Sequence, residues 1–119
     1  MPILGGRVPE AGEVYWIDHG DPVGREQGGR RPNIVLTPRA YNESSSVVVT
    51  CPITRRRHDW PFQVEISAVG PITGYALVDQ LRVIDPHARG ARFAGSVSEE
   101  TLAEIRASLL SLFALARND

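Results

Sequence analysis

One segment of this chain carries sustained helical periodicity, and it lies toward the C-terminal end. Ser98 suits an N-cap, because its hydroxyl can accept from a backbone N–H of the first turn. Glu99 and Glu100 follow, where carboxylates complement the positive end of the helix dipole. Leu102, Ile105, Leu109 and Leu112 then recur at helical spacing. Everything upstream breaks into short runs. Glu13 to Asp18, EVYWID, is rich in aromatic and β-branched residues and reads as a first strand. Pro32 to Thr37 is a second, since proline lacks a donor and is comfortable as a strand's first residue. Arg39 to Ser45 is a connection with room for one helical turn. Ser46 to Cys51 is a third strand, followed by Pro52. Phe62 to Ile66 alternates and reads as a half-exposed strand. Tyr75–Val78 and Leu81–Ile84 are short strands around a turn at Asp79-Gln80, and Val97 marks a short edge strand. No βαβ alternation appears. One long helix with several short strands leads to an antiparallel, partly open barrel with an appended helix, mainly β with some α.

At 119 residues, 1–119 are expected to form a single domain, large enough to bury a core without disulfide or metal. Residues 1–11 carry Gly and Pro without a period and are expected to form a mobile N-terminal segment. The lone cysteine, Cys51, lies in an apolar run and reads as a small buried hydrophobe. No run is long enough to cross a bilayer and no signal-peptide pattern is present, so a cytoplasmic location is the expectation. No His/Cys/Asp grouping has metal-site spacing, and neither metal nor cofactor is expected.

Net charge is −1, which argues against non-specific duplex binding, yet the distribution is uneven. All 13 basic residues are arginine. Arg30 and Arg31 are paired, Arg55 to Arg57 form a run, and acids gather on the C-terminal helix. Clustered on one face, the arginines would give a positive groove on a near-neutral protein; otherwise they are a solvated surface. The stretch Arg25 to Pro38, REQGGRRPNIVLTP, places two fixed positive charges where a glycine-rich loop meets a strand. That junction can hold a phosphate, because a guanidinium forms two parallel bonds to phosphate oxygens.

The loop Gly24 to Pro32, GREQGGRRP, resembles the G-x-E-Q-x-G-x-R-P signature of the MazF/PemK-like (Kid-like) toxins of type II toxin–antitoxin systems, which are endoribonucleases. Val49–Thr54, VTCPIT, resembles that family's second strand-end segment, and Gly74–Asp85, GYALVDQLRVID, its G-x-x-x-x-D-Q-x-x-x-I-D segment. The pieces occur in the family's order, from about Gly12 to Phe113. The resemblance implies an SH3-like barrel of the CcdB/MazF type, acting as a homodimer. It implies an mRNA interferase: a sequence-specific, metal-independent hydrolase of single-stranded RNA, silenced by a cognate MazE-like antitoxin.

By the same resemblance, Arg31 and Thr54 are the catalytic pair and Glu26 orients the arginine or assists proton transfer. If the second and third strands are neighbours, Arg31 and Thr54 can converge on one sheet edge. Cleavage without metal uses the ribose 2′-OH to attack phosphorus, leaving a cyclic phosphate and a 5′-OH. Arginine suits neutralisation of the phosphorane charge and is a poor general base. A surface ion pair of Arg31 with Glu26 is the structural alternative. RNA binding is expected from Gln27, Arg30, Arg55, Arg56, Arg57, Trp60, Asp79 and Gln80, because arginines beside an aromatic platform suit single strands. Trp60 could equally pack on Phe62, and Asp79 could be a turn residue. Trp16 is read as core; His19 and His58 are loop residues without a visible carboxylate partner. Some relatives use an arginine where this chain has Leu77. The alternative function is a non-catalytic CcdB-like toxin that binds DNA gyrase, but the Trp-Gly-Ile tail of those proteins is replaced here by Ala116-Arg117-Asn118-Asp119.

Overall fold

The computed structural model describes residues 6–21, 24–25 and 29–114. Among them lie seven strands and two helices: β1 (Glu13–Asp18), β2 (Arg30–Val35), α1 (Arg39–Ser44), β3 (Val48–Thr54), β4 (Gln63–Glu65), β5 (Tyr75–Leu77), β6 (Arg82–Ile84), β7 (Arg92–Ser96) and α2 (Glu99–Leu112). All pairings are antiparallel, in the order β4-β5-β3-β2-β1-β7, with β6 also on β3. The expected partly open antiparallel barrel with a C-terminal helix is what forms.

β3 is the axis of this arrangement. Its first half, Val48–Thr50, pairs with β6, and its last two residues, Ile53 and Thr54, pair with β5. Side chains alternate across the strands, so both faces are buried. Val14, Ile34, Cys51 and Ile53 form one cluster, closed by Ile105 of α2. Tyr15, Ile17, Val35, Val48 and Ile84 form the other. α2 starts as its sequence dictates: Ser98 Oγ accepts from the Thr101 amide at 3.1 Å. Thr101 Oγ1 in turn accepts from the Ser67 amide at 3.0 Å, which ties the helix start to the loop after β4.

Three strands differ from the sequence reading by two residues or more at an end; the others differ by at most one. β2 begins at Arg30, not Pro32, because Arg30 and Arg31 pair with Asp18 and Ile17 of β1. β3 runs from Val48 through Pro52 to Thr54, so Thr54 ends the strand instead of following it. The edge strand is Arg92–Ser96, with Val97 just beyond it. Its alternation is hidden by Gly95 (φ 146°) and by a shift of register opposite Val14 and Tyr15, as a bulge requires. Residues 1–5 of the N-terminal segment lie outside the described residues. Arg7 pairs with Glu13 at 2.8 Å, and Asn42 donates to the Pro9 carbonyl at 2.8 Å.

Candidate active site

A proline opens the site. The β2–β3 ladder runs from Val35↔Thr50 to Asn33↔Pro52 and stops. Pro32 lacks the N–H that the next hydrogen-bonded pair, with Ile53, would need. Extending the register by two residues sets Arg31 across from Thr54. Directly opposed residues share a sheet face. A groove of about 590 Å³ lies here, lined by Arg31 and Thr54 together with Arg30, Arg55, Arg56 and His58. Four of its lining residues are arginine and none is acidic. A concave, one-signed lining focuses the field and favours an anionic ligand.

Thr54 is held on both sides. The Arg56 amide donates to Thr54 Oγ1 at 3.2 Å. That bond occupies an acceptor site and leaves the hydroxyl proton to be given to a ligand. Behind the strand, Gly74 (φ 134°) lies so close that a Cβ there would collide with the Thr54 carbonyl oxygen. The arginine loop after Thr54 is clamped by one side chain the sequence reading missed. Gln63 Nε2 donates to the Arg56 carbonyl at 2.9 Å, and its Oε1 accepts from the His58 amide at 2.7 Å. A glutamine alternating with apolar residues looks like a solvent-facing strand position, so no sequence signal marked it.

Arg57, His58 and Trp60 line an adjoining groove of about 660 Å³ with Tyr75. Trp60 is 49% exposed, and its Nε1 donates to Asp79 Oδ2 at 2.8 Å. It meets Phe62 edge-to-face at 5.6 Å, so a presented ring and a packed one are both realised. Asp79 thus joins the arginine loop through Trp60, and the Gln80 amide donates to the Leu77 carbonyl at 3.0 Å in the adjoining turn. Leu77 is buried and brings no charge. Trp16 corrects the sequence reading. It is 37% exposed instead of core. Its face of β1 carries Pro32 on one side and Arg92 on the other, and it lines both the main groove and a second one with Arg30 and Arg92. Alternation alone cannot say which face of a strand meets solvent when both faces of its neighbours are filled.

Glu26 and Gln27 lie outside the described residues. The neck of their loop is pinched by two backbone bonds, His19 N to Gly29 O at 2.9 Å and Gly29 N to Gly20 O at 2.6 Å. Among the described residues no three His, Cys, Asp or Glu side chains gather as a metal site, and no helix is long and apolar enough to cross a membrane. Cys51 is fully buried beneath the groove's strands, and burial pushes its thiol up to about 12. A thiol reagent at pH 8 is expected to leave the native protein unlabelled over an hour and to label it fully in denaturant. Rapid labelling of the native form would place Cys51 at the surface.

The profile of the PemK-like, MazF-like toxins of type II toxin–antitoxin systems matches residues 10–113. The endoribonuclease toxin MazF of Escherichia coli K12 is 37% identical over 102 residues, covering 86% of this chain and 91% of that protein. The crystal structure of MazF (form I) from Deinococcus radiodurans superposes with a TM-score of 0.83 at 38% identity, covering 91% of this chain and 98% of that one. A MazE–MazF structure (form II) from the same organism superposes at 0.79 with 34% identity, over 92% and 99%. The chain belongs to the PemK-like, MazF-like toxin family of type II toxin–antitoxin systems.

Proposed function

We propose that this toxin is an endoribonuclease that cleaves single-stranded RNA at the fork between Arg31 and Thr54. The observation carrying this reading is that Arg31 and Thr54 line one groove, beyond the last β2–β3 pair, with four arginines and no acid in its lining. The guanidinium holds a non-bridging oxygen pair of the scissile phosphate, and the Thr54 hydroxyl donates to the same phosphate. The 2′-oxygen attacks phosphorus and loses its proton. The bond to the 5′-oxygen breaks, and that oxygen takes up a proton. The products are a 2′,3′-cyclic phosphate and a 5′-OH end. Charge that builds on the phosphorane is met by fixed donors, the usual largest contribution to such chemistry. The role of Glu26 in orienting Arg31 or moving a proton rests on the resemblance alone. Trp16 and Trp60 flank the fork as stacking surfaces for bases, with Arg30, Arg55, Arg56 and Arg57 along the backbone path. Gln27, Asp79 and Gln80 complete the proposed RNA contacts.

The partners follow from chemistry of the surface. An acidic, extended antitoxin segment would neutralise the arginine groove and block RNA. The MazE–MazF neighbour supports such a partner. A homodimer is proposed from a second surface, an apolar groove of about 470 Å³ between Leu36, Val49, Leu81, Leu109, Leu110 and Phe113. Phe113 there is 54% exposed. A cytoplasmic site of action, where its RNA would be met, belongs to the same proposal.

Incubation of the purified protein with a long RNA in excess EDTA, followed by mapping of the ends, tests the reading. Cleavage at a fixed short sequence with 5′-OH ends is expected. Intact RNA in EDTA, restored to cleavage by a divalent metal, would overturn the metal-free mechanism.

A further inference from the structure

His19 follows the last residue of β1 and is 5% exposed; Asn33, in the middle of β2, is wholly buried. His19 Nε2 lies 2.8 Å from Asn33 Oδ1, and Asn33 Nδ2 donates to the backbone carbonyl of Arg31 at 2.8 Å. The chemistry of this chain fixes its own protons. A backbone carbonyl can only accept, so the amide NH₂ must face Arg31 and the amide oxygen must face His19. Nε2 therefore carries the imidazole proton. Nδ1 is left as a bare lone pair, buried without a hydrogen-bonding partner among the described residues. The main chain of His19 is itself bonded to Gly29 in the loop neck. The pair thus joins three things: the end of β1, the neck of the glycine loop, and the peptide that carries the Arg31 side chain.

Two apolar residues would fill this space without desolvating an imidazole and an amide. A buried polar pair aimed at one carbonyl instead restricts how that peptide can turn. We propose that His19 and Asn33 are positioning residues: their two hydrogen bonds fix the Arg31 peptide and so the direction in which its guanidinium leaves β2 toward the phosphate. The inference rests on the nuclease reading for its catalytic consequence, and on geometry alone for the relay.

The relay is intact with neutral His19. Burial first, and then the guanidiniums of Arg82 on β6, Arg89 in the loop after it and Arg31 on β2, hold the imidazole below its ordinary range; the bond to Asn33 opposes them without reversing the direction. The neighbouring Asp18 carboxylate is engaged with the Gly20 amide at 2.9 Å. Protonation would put a donor on Nδ1, where no acceptor lies among the described residues. The sign follows: the unfolded chain binds this proton more readily than the folded one, so stability is full above the unfolded imidazole value and falls as pH drops toward the folded one.

The test compares wild type, His19→Phe and His19→Gln on a long RNA between pH 5 and 8. Phenylalanine keeps a ring and loses the donor; glutamine can donate to Asn33 Oδ1 again. At pH 7.5, His19→Phe is expected to lower kcat about thirtyfold with KM within about twofold, and His19→Gln to recover to within about threefold of wild type. Acid loss of kcat should be shallower in His19→Gln than in wild type. In NMR spectra the Arg31 carbonyl carbon should shift in His19→Phe and return in His19→Gln. Unchanged kcat in His19→Phe, or a rise in KM alone, overturns the positioning role. Should His19→Phe fail to fold, a wild-type acid profile in His19→Gln does so instead. If wild type cuts no RNA, the nuclease reading fails, and the carbonyl shift still decides the relay: one value in all three proteins overturns it.

Discussion

Replacing Arg31 by alanine is expected to lower kcat for RNA cleavage by about a thousandfold or more, with little change in stability. Arg31 lies near the open end of β2, beyond the last β2–β3 pair, so few ladder bonds depend on its side chain. Its loss removes a fixed, always-ionised fork from the position where phosphorane charge would develop. The remaining arginines of the groove still attract the RNA backbone, so KM should move much less than kcat. Arg31→Lys keeps a charge but not two parallel bonds, and only a small part of the rate should return. Single-turnover cleavage of a short RNA, with circular dichroism melting on the same samples, checks both halves. Cleavage by Arg31→Ala at the parent rate would take this residue out of the chemistry.

The second large effect is expected at Gly74. Its φ of 134° is hard for any residue with a Cβ, and that Cβ would meet the Thr54 carbonyl oxygen, with the carbonyl carbon at 2.9 Å and Arg55 Cα at 3.2 Å. All three are backbone atoms, so no flexible side-chain tip can yield. Gly74→Ala should therefore push β5 away from the end of β3, at a cost of about 3 kcal/mol or more. For a domain of this size that is a fall of about 10 °C in Tm. Because two of these atoms belong to Thr54 and the third to Arg55, activity at 20 °C should drop further than the unfolded fraction explains. Calorimetry beside cleavage assays at that temperature reads both. An alanine variant as stable as its parent would mean that the two strands are not held in this contact.

The sequence disclosed the fold through its punctuation. Ser98 with the following glutamates marked α2, and the aromatic, β-branched run 13–18 marked β1 at its observed ends. It misplaced the start of β2 and the end of β3 for one reason. Pro32 and Pro52 read as boundaries, whereas pairing with β1 carries β2 through the first and pairing with β5 carries β3 past the second. That error hid the fact that Arg31 and Thr54 are strand residues, paired with Ile17 and Tyr75. The groove itself was half legible. The paired and tripled arginines were visible as charge, but the clamp of Gln63 on the loop, the exposure of Trp16 and the His19–Asn33 relay depend on contacts between distant segments. No local pattern encodes which polar side chain finds which carbonyl.

The cationic groove is built without a single lysine. Guanidinium groups stay charged far beyond physiological alkalinity, and acetylation of lysine, which erases a positive charge elsewhere, has no target here. Neither a rise in pH nor an acetyltransferase can therefore switch this surface off by removing its cations. A partner that covers the groove, by contrast, acts without changing those charges.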